Sequence, residues 1–361
     1  MTPKFNFPIH ETKVKGISQT FDLNTPMGRR KYFDAKASKE IEELKSYLDH
    51  STFVGFLLAK KSAGKGTYSK MFQEIFGQDR VELISVGDLV REYYAKITSD
   101  KAELKSLTDY FEKYYRGYMS IDDAFKAFLS KSQDKLIPTE FILTLVRKRI
   151  EEVNNKAIFL DGFPRDMDQI SYSLYFRSIM NLRDDPDFFI LIDVPESVID
   201  ERMKYRRICP ICNTSRNLKL LPTETVHFDK NTNKFELVCD NVSCTGHNKQ
   251  ILVAKEGDEN GLELIRARLN KDAELMEKAL NLHGVPKILL RNSFPVSEIA
   301  KFDDYEVTPE FVYEWDKNAE KVIVTTKPWV IKDDAGVESN SLMAPAVLLS
   351  MIKQIHQIVI G

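Results

Sequence analysis

The sequence predicts an α/β fold: a parallel sheet with helices on both faces, interrupted by one helical insertion and one small β-rich insertion. Three observations carry that prediction. Short apolar, β-rich runs at 52–58, 157–161 and 188–194 read as buried strands, and stretches of helical spacing separate them. A turn containing glycine and lysine, Gly64-Lys65-Gly66-Thr67, joins the first of these runs to a helical pattern. All four cysteines fall between Cys209 and Cys244, in a stretch that breaks the strand–helix rhythm with turn formers and alternating residues.

Taken in order, residues 1–51 open as mixed, Pro-interrupted sequence and become helical from about Ala37, where Ile41, Leu44 and Leu48 fall on one face. The run Thr52–Leu58 is the first strand, and the helical pattern after Gly64 extends through about Phe76. Val81–Ser85 is a second strand. Residues 88–151 are mostly helical, with Ile137-Pro138-Thr139 as a break. Two further strands, Ala157–Asp161 and Phe188–Val194, complete the core signal. Residues 207–254 form the β-rich unit, and helical spacing resumes at Leu262, Ile265, Leu269 and Leu275. A last strand pair is expected around Lys321–Ile331, and a helix from about Leu342 carries Pro345 in its first turn.

Composition bounds the function. At 361 residues the chain holds two or three structural units of roughly 100–200 residues each. With 43% hydrophobic residues it can bury a substantial core. Fifty-two Lys and Arg against 54 Asp and Glu give a net charge of −2, which argues against a dedicated nucleic-acid binder. No apolar run approaches the ~18 residues of a membrane span, and the first residues lack the charged-then-apolar order of a secretory signal. A soluble, cytoplasmic protein without a membrane partner is expected, and it is read as a monomer. Clustered cysteines in such a protein point to metal binding rather than to disulfides.

A strand, a Gly/Lys turn and a helix together form a phosphate cradle. Small residues let backbone N–H groups converge on an anion, and the helix N-terminus adds its positive dipole end. Ser62, Ala63, Gly64, Lys65, Gly66 and Thr67 would line that cradle, with Lys65 reaching the terminal phosphates. The loop departs from the usual motif at Ala59 and Ser62, where glycines are common. Asp161 ends a strand and is suited to holding Mg2+ through water. Gly162-Phe163-Pro164-Arg165 follows it directly. Ligands gather at the carboxyl ends of parallel strands, so Lys65, Asp161 and Arg165 should face one crevice.

These motifs, with Ser85-Val86-Gly87-Asp88-Leu89-Val90-Arg91, Gln169 and Asp200-Glu201-Arg202 leading to Arg206-Arg207, resemble the adenylate kinase family of nucleoside monophosphate kinases. The likeness in order and spacing runs from about Phe53 to Leu269, with a closing strand and helix. It implies a P-loop core with two mobile insertions, one closing over the monophosphate and a lid closing over ATP. The expected units are an N-terminal extension (1–51), core (52–84), NMP-binding insertion (85–151), core (152–206), lid (207–254), and core with a C-terminal extension (255–361).

The resemblance also implies roles. Lys65 holds the ATP phosphates, and Arg202 stacks on the ATP adenine. Arg91 and Arg165 grip the monophosphate, a task that suits the planar, always-charged guanidinium. Gly87, Ile137 and Gly162 line the same monophosphate site. Arg206 and Arg268 reach the transferring phosphoryl group. Asp161 and Asp88 belong to the Mg2+ water shell, although Asp88 would serve equally as an N-cap for the helix holding Arg91. The position upstream of Arg268 that would carry a partner arginine is Gly257, or Lys255 if Arg266 is the true match. Gln169 matches the glutamine that reads adenine, while Val86 replaces a threonine near the base, so another monophosphate is the alternative acceptor.

Cys209, Cys212, Cys239 and Cys244 form two knuckles joined by a β-rich loop, the donor set of a closed, structural Zn2+ site. The second knuckle is loose, which leaves His227 and His247 as substitutes. The unit is too small to hold a core of its own, so a metal staple is physically reasonable. A zinc ribbon that binds nucleic acid is the weaker reading, since residues 207–254 show only a modest basic excess and few aromatics. The expected activity is transfer of phosphate from ATP to AMP, giving two ADP. The rival is a nucleotide-binding sensor of the same fold with weakened catalysis, which Ala59, Ser62 and the missing lid-side arginine favour.

Overall fold

The computed structural model describes residues 5–130, 137–153, 155–163, 182–255, 257–258 and 261–361. Its centre is a five-stranded, all-parallel sheet. The strands are β1 (Val54–Ala59), β2 (Val81–Ser85), β3 (Ala157–Asp161), β4 (Asp187–Asp193) and β10 (Lys287–Arg291), in the order β10-β4-β1-β3-β2. Every residue of β1 and β4 is buried, as continuous apolar runs in a sheet covered on both faces require. Alternate residues feed two cores. Leu57, Phe159, Ile190 and Ile192 pack on one face, while Phe56, Leu58, Phe189 and Leu191 pack on the other.

The first face is covered by α1 (Pro26–Leu48), α2 (Lys65–Phe76) and α9 (Ala344–Val359). Helix α1 begins eleven residues before the apolar pattern at Ala37 would place it. Thr25 caps it, accepting from Gly28 N–H, and Pro26 occupies the first turn. Its two halves meet at a kink at Ala37 (φ −152°, ψ 28°). A buried lysine ties this helix to the C-terminal extension. Lys36 Nζ donates to Glu306 Oε1 and Asp303 Oδ2, both at 2.7 Å, and to the Thr12 carbonyl at 3.0 Å. The charge is therefore fully partnered despite its burial.

On the second face sit four helices of the insertion between β2 and β3: α3 (Val86–Ser99), α4 (Lys101–Tyr114), α5 (Ile121–Leu129) and α6 (Thr139–Glu152). Phe111, Phe125, Phe128 and Phe141 knit α4, α5 and α6 together through ring contacts of 4.5–5.1 Å. Helix α8 (Arg266–Asn281) adds Met276 and Ala279 to that core.

The β-rich insertion follows α7 (Glu196–Lys204). Strands β5 (Arg206–Ile208), β6 (Ser215–Asn217) and β9 (Val253–Ala254) form one small sheet, and β7 (Val226–Asp229) pairs with β8 (Lys234–Leu237) in a hairpin. After β10 come β11 (Ser293–Pro295), the hairpin β12 (Pro309–Asp316) and β13 (Lys321–Pro328), then β14 (Ile331–Lys332) and β15 (Glu338–Ser341). The expected strand pair near 321–331 is thus the second arm of a hairpin whose first arm starts at Pro309. Among the described residues no helix is long and apolar enough to cross a membrane.

Candidate nucleotide-binding site and metal centre

The register of the sheet gathers the site. Ser85 and Leu57 both pair with Asp161, so β1, β2 and β3 end together at one carboxyl edge. From that edge the loop 60–64 leads into α2. Ser62 takes a left-handed conformation (φ 66°), a cost of about 1–2 kcal/mol for a non-glycine residue. Gly64 caps the helix at φ 101°, where a Cβ would also lie 3.2 Å from the Tyr68 ring. Ala59 lies inside β1, buried and extended, so its replacement of glycine leaves the turn unstrained. A Cβ on Gly66 would meet nothing within 4 Å, so the mouth of the loop is open. The first-turn N–H groups of Lys65 and Gly66 have no acceptor within the helix. Together these features make a cradle that fits an anion.

Lys65, Arg91, Arg206 and Arg268 each rest on a nearby acceptor. Lys65 Nζ donates to the Ala59 carbonyl (3.0 Å) and lies 3.8 Å from Asp161 Oδ1. Arg91 pairs with Asp88, and that contact, with help from Ser85, holds the Asp88 carboxyl below the usual range. The N-cap of α3 is Ser85, which frees Asp88 from that duty. Arg206 forms a bidentate pair with the buried Asp258, at 2.6 and 2.7 Å. Arg268 Nε donates to Asp272 Oδ1 (2.8 Å), whose Oδ2 accepts from Lys61 N–H in the phosphate loop (2.9 Å). Arg266 instead pairs with Glu196, which leaves Arg268 as the arginine joined to the loop. Lys255 is exposed, and Gly257 has φ 85°. Exposed pairs such as Arg91–Asp88 contribute about 0–1 kcal/mol, so a polyphosphate can replace those carboxylates at little cost.

Arg202 differs from the others. It lies under the loop helix, bonded to Tyr68 and to Asn292 Oδ1 (3.3 Å). Burial pulls its guanidinium pKa down, and Tyr68 partly offsets this. Gly87 sits in the first turn of α3, Ile137 packs partly buried against the helical insertion, and Gly162 has φ 86°. Arg165 and Gln169 lie outside the described residues.

Several site neighbours stand outside the motifs named from the sequence. Asp272 stands four residues after Arg268, a spacing that marks helical ion pairs and was available to find it. Asp258, Asn292 and the buried Lys60 come from separate loops, and no local pattern announces them. Asp193, at the end of β4, is another. Burial pushes its carboxyl up to about 6, against the pull of Lys60 and Arg291. A folded-state value above the ordinary 3.8 means this carboxyl favours folding most below that pH, and that the advantage is lost as pH rises through about 6. Asp193→Asn is therefore expected to be more stable than wild type at pH 8, by up to about 3 kcal/mol, with no advantage below pH 4. Urea denaturation at the two pH values checks it.

The four cysteine sulfurs all lie within 4.8 Å of one another. Cys209 and Cys244 are 3.9 Å apart, and Cys212 and Cys239 3.7 Å. A tetrahedral zinc with Zn–S bonds of about 2.3 Å separates its sulfurs by about 3.8 Å, so the donor set fits the metal. Left-handed Asn213 (φ 57°) and Asn248 (φ 55°) turn the chain around the two knuckles. Burial pushes the Cys239 thiol up to about 12, a value that a bound divalent cation would reverse. His227 is exposed on β7 beside Glu236 and takes no part, and the cluster is complete without His247. The buried cluster around the sulfurs consists of Cys209, Cys239, Cys244, Leu237 and Leu252. The cysteines themselves are most of it.

Fold and site together define an α/β P-loop kinase-like protein with a β-rich insertion that carries a candidate metal centre. No family model matches the chain. The chain is 28% identical over 235 residues to an adenylate kinase of Thermotoga neapolitana, covering 65% of this chain and 86% of that protein. It is 35% identical over 168 residues to an adenylate kinase of Clostridium kluyveri, covering 46% of this chain and 64% of that protein. An adenylate kinase of Clostridium tetani is 31% identical over 170 residues, 47% of this chain and 66% of its own length. These likenesses support the adenylate kinase family and a nucleoside monophosphate kinase, a phosphotransferase.

Proposed function

We propose that this protein transfers the terminal phosphoryl group of ATP to AMP, giving two ADP. The observation that carries the reading is the convergence of Lys65, Asp161 and the Asp88–Arg91 pair on the edge where three parallel strands end. Transfer between two polyanions requires positive charge on every phosphate and exclusion of water. In this reading the loop from Ser62 to Thr67 holds the ATP phosphates, with Lys65 on the terminal ones. Arg91 and Arg165 hold the monophosphate, and Gln169 reads its base. Arg206 and Arg268 exchange Asp258 and Asp272 for phosphate oxygens as the site fills. Arg202 borders the adenine side from beneath α2. Asp161, with Asp88 once Arg91 has turned to phosphate, would hold Mg2+ through water; the ion supplies charge neutralisation on the phosphates. The four cysteines would hold a structural Zn2+ that keeps the lid folded.

An acceptor screen tests the reading. With ATP as donor, ADP formation is expected to favour AMP over CMP, UMP and GMP by about 5–150-fold, the discrimination an amide paired to an adenine edge supplies. A preference for another monophosphate would refute the role given to Gln169. ATP binding without turnover on any acceptor would favour the rival, a nucleotide sensor of the same fold.

A further inference from the structure

The segment between β11 and β15 has no role in the phosphate chemistry proposed above, yet it touches both the β-rich insertion and the phosphate loop. At one end, the hairpin β12–β13 lies on the β-rich insertion. The Trp315 ring stacks on Phe228 of β7, with centroids 4.8 Å apart and planes 17° from parallel. Tyr313 packs on Phe235 of β8 at 5.4 Å, and its hydroxyl donates to the Leu218 carbonyl. Phe311 N–H donates to the Lys219 carbonyl (2.8 Å), and Lys219 Nζ bridges Glu201 of α7 and Glu310 of β12, at 2.8 and 3.4 Å. At the other end, Asp334 accepts from Lys60 Nζ of the phosphate loop (3.2 Å) and from Glu196 N–H, the first of α7 (2.7 Å). Ser197 Oγ also donates to the Lys332 carbonyl (2.7 Å). Between the two ends Trp329 is buried in the main core, so the segment is anchored rather than loose.

We propose that residues 309–334 form a strap that positions the lid relative to the phosphate loop, with Trp315 and Tyr313 as its positioning residues on the lid. The lid joins the core through β5 and β9, which pair with each other at Arg207–Ala254 and Ile208–Val253. Beside these two strands the stretch 217–220 is also tied to the core: Asn217 Nδ2 donates to the Arg202 carbonyl (3.0 Å), Leu218 N–H donates to the Tyr205 carbonyl (2.9 Å), and Leu220 is buried in the main core. The strap adds a further attachment on the hairpin β7–β8, a sheet separate from the one that holds β5 and β9. A lid held in this way has less freedom to lose when it orders over a nucleotide, and preorganisation of that kind strengthens binding. The effect belongs to the ATP side alone, because the helical insertion that bears Arg91 is packed on the opposite face of the sheet. The inference rests on the kinase reading for its choice of ligand.

The test compares wild type with Trp315→Ala and Trp315→Phe. Calorimetry reads the affinity for a non-hydrolysable ATP analogue with Mg2+ and, separately, for AMP. Hydrogen exchange reads the amides of residues 215–237, and bound zinc is quantified as a check that the lid is folded. Trp315→Ala is expected to weaken the ATP analogue on the order of tenfold, to speed lid exchange, and to leave AMP affinity and zinc content unchanged. Trp315→Phe keeps the ring stack and should restore the wild-type values. Unchanged ATP affinity, or equal weakening for both nucleotides, would overturn the strap. If Trp315→Ala loses zinc or fails to fold, Glu310→Gln, which removes the charge facing Lys219 and, within the hairpin, Lys327, must shift ATP affinity and lid exchange in the same direction. If wild type binds no ATP analogue, the kinase reading fails, and faster lid exchange in Trp315→Ala decides the strap by itself.

Discussion

Lys65→Ala is expected to lower kcat by about 10²–10³-fold, the usual loss when one preorganised donor to developing charge is removed. Both kcat and kcat/KM should fall together, because the ammonium matters most when charge spreads over the transferring group. The fold should survive. Lys65 gives up one bond to the Ala59 carbonyl and a 3.8 Å contact with Asp161, a carboxylate open to solvent, so the stability change should stay within about 1 kcal/mol. Steady-state assays with a thermal melt separate the two effects. Near-wild-type turnover in a folded variant would falsify the phosphate-loop assignment and leave the cradle as an ordinary strand–helix junction.

How much of this was legible beforehand depends on the range of the interaction. Strands β1, β3 and β4 could be read because both faces are buried, which leaves continuous runs such as Phe188–Val194 with few other interpretations. The phosphate loop could be read because its conformation is local: a left-handed Gly64 and an open Gly66 follow from residue type at adjacent positions. The first half of α1 could not. Its stretch Gly28-Arg29-Arg30-Lys31 lacks an apolar period, and only the Thr25-Pro26 cap signals the start. Carboxylate partners such as Asp258 for Arg206 were hidden for a different reason, since they meet through tertiary packing. The same holds for the strap. Trp315 and Tyr313 look like alternating residues of a solvent-facing hairpin until Phe228 and Phe235 are brought against them.

The cysteine cluster lies between these cases. Spacing pointed to a metal but left His227 and His247 open as ligands, because a knuckle with four intervening residues is compatible with several donor sets. Distances of 3.7 and 3.9 Å within the two sulfur pairs favour the all-cysteine set.

Replacing Cys244 with serine is expected to abolish zinc retention and to unfold the lid while the core sheet stays folded. The argument is one of scale. Structural zinc in small sites contributes about 10–16 kcal/mol at pH 7, and that binding free energy is folding free energy. The cluster around the sulfurs has little to set against its loss: Leu237 and Leu252 are its only aliphatic members among the described residues, and the ring stack with Trp315 lies outside it. The parallel sheet, with cores on both faces, does not depend on it. Native mass spectrometry of wild type should show one zinc per chain, and the serine variant none. The functional consequence should be uneven. Arg91 stands on α3, outside the lid, so AMP affinity should hold within about twofold, well inside one tenfold step of 1.4 kcal/mol. Arg206 stands on β5 at the base of the lid, and without a folded lid it is no longer delivered to the phosphates, so kcat should fall by about 10²-fold or more. Acidification should release the metal in the same way, because thiolates must take up protons as pH falls. A metal-free wild type with full turnover would sink the structural-zinc reading. Loss of AMP binding as severe as the loss of turnover would contradict the separation of the lid from the monophosphate site.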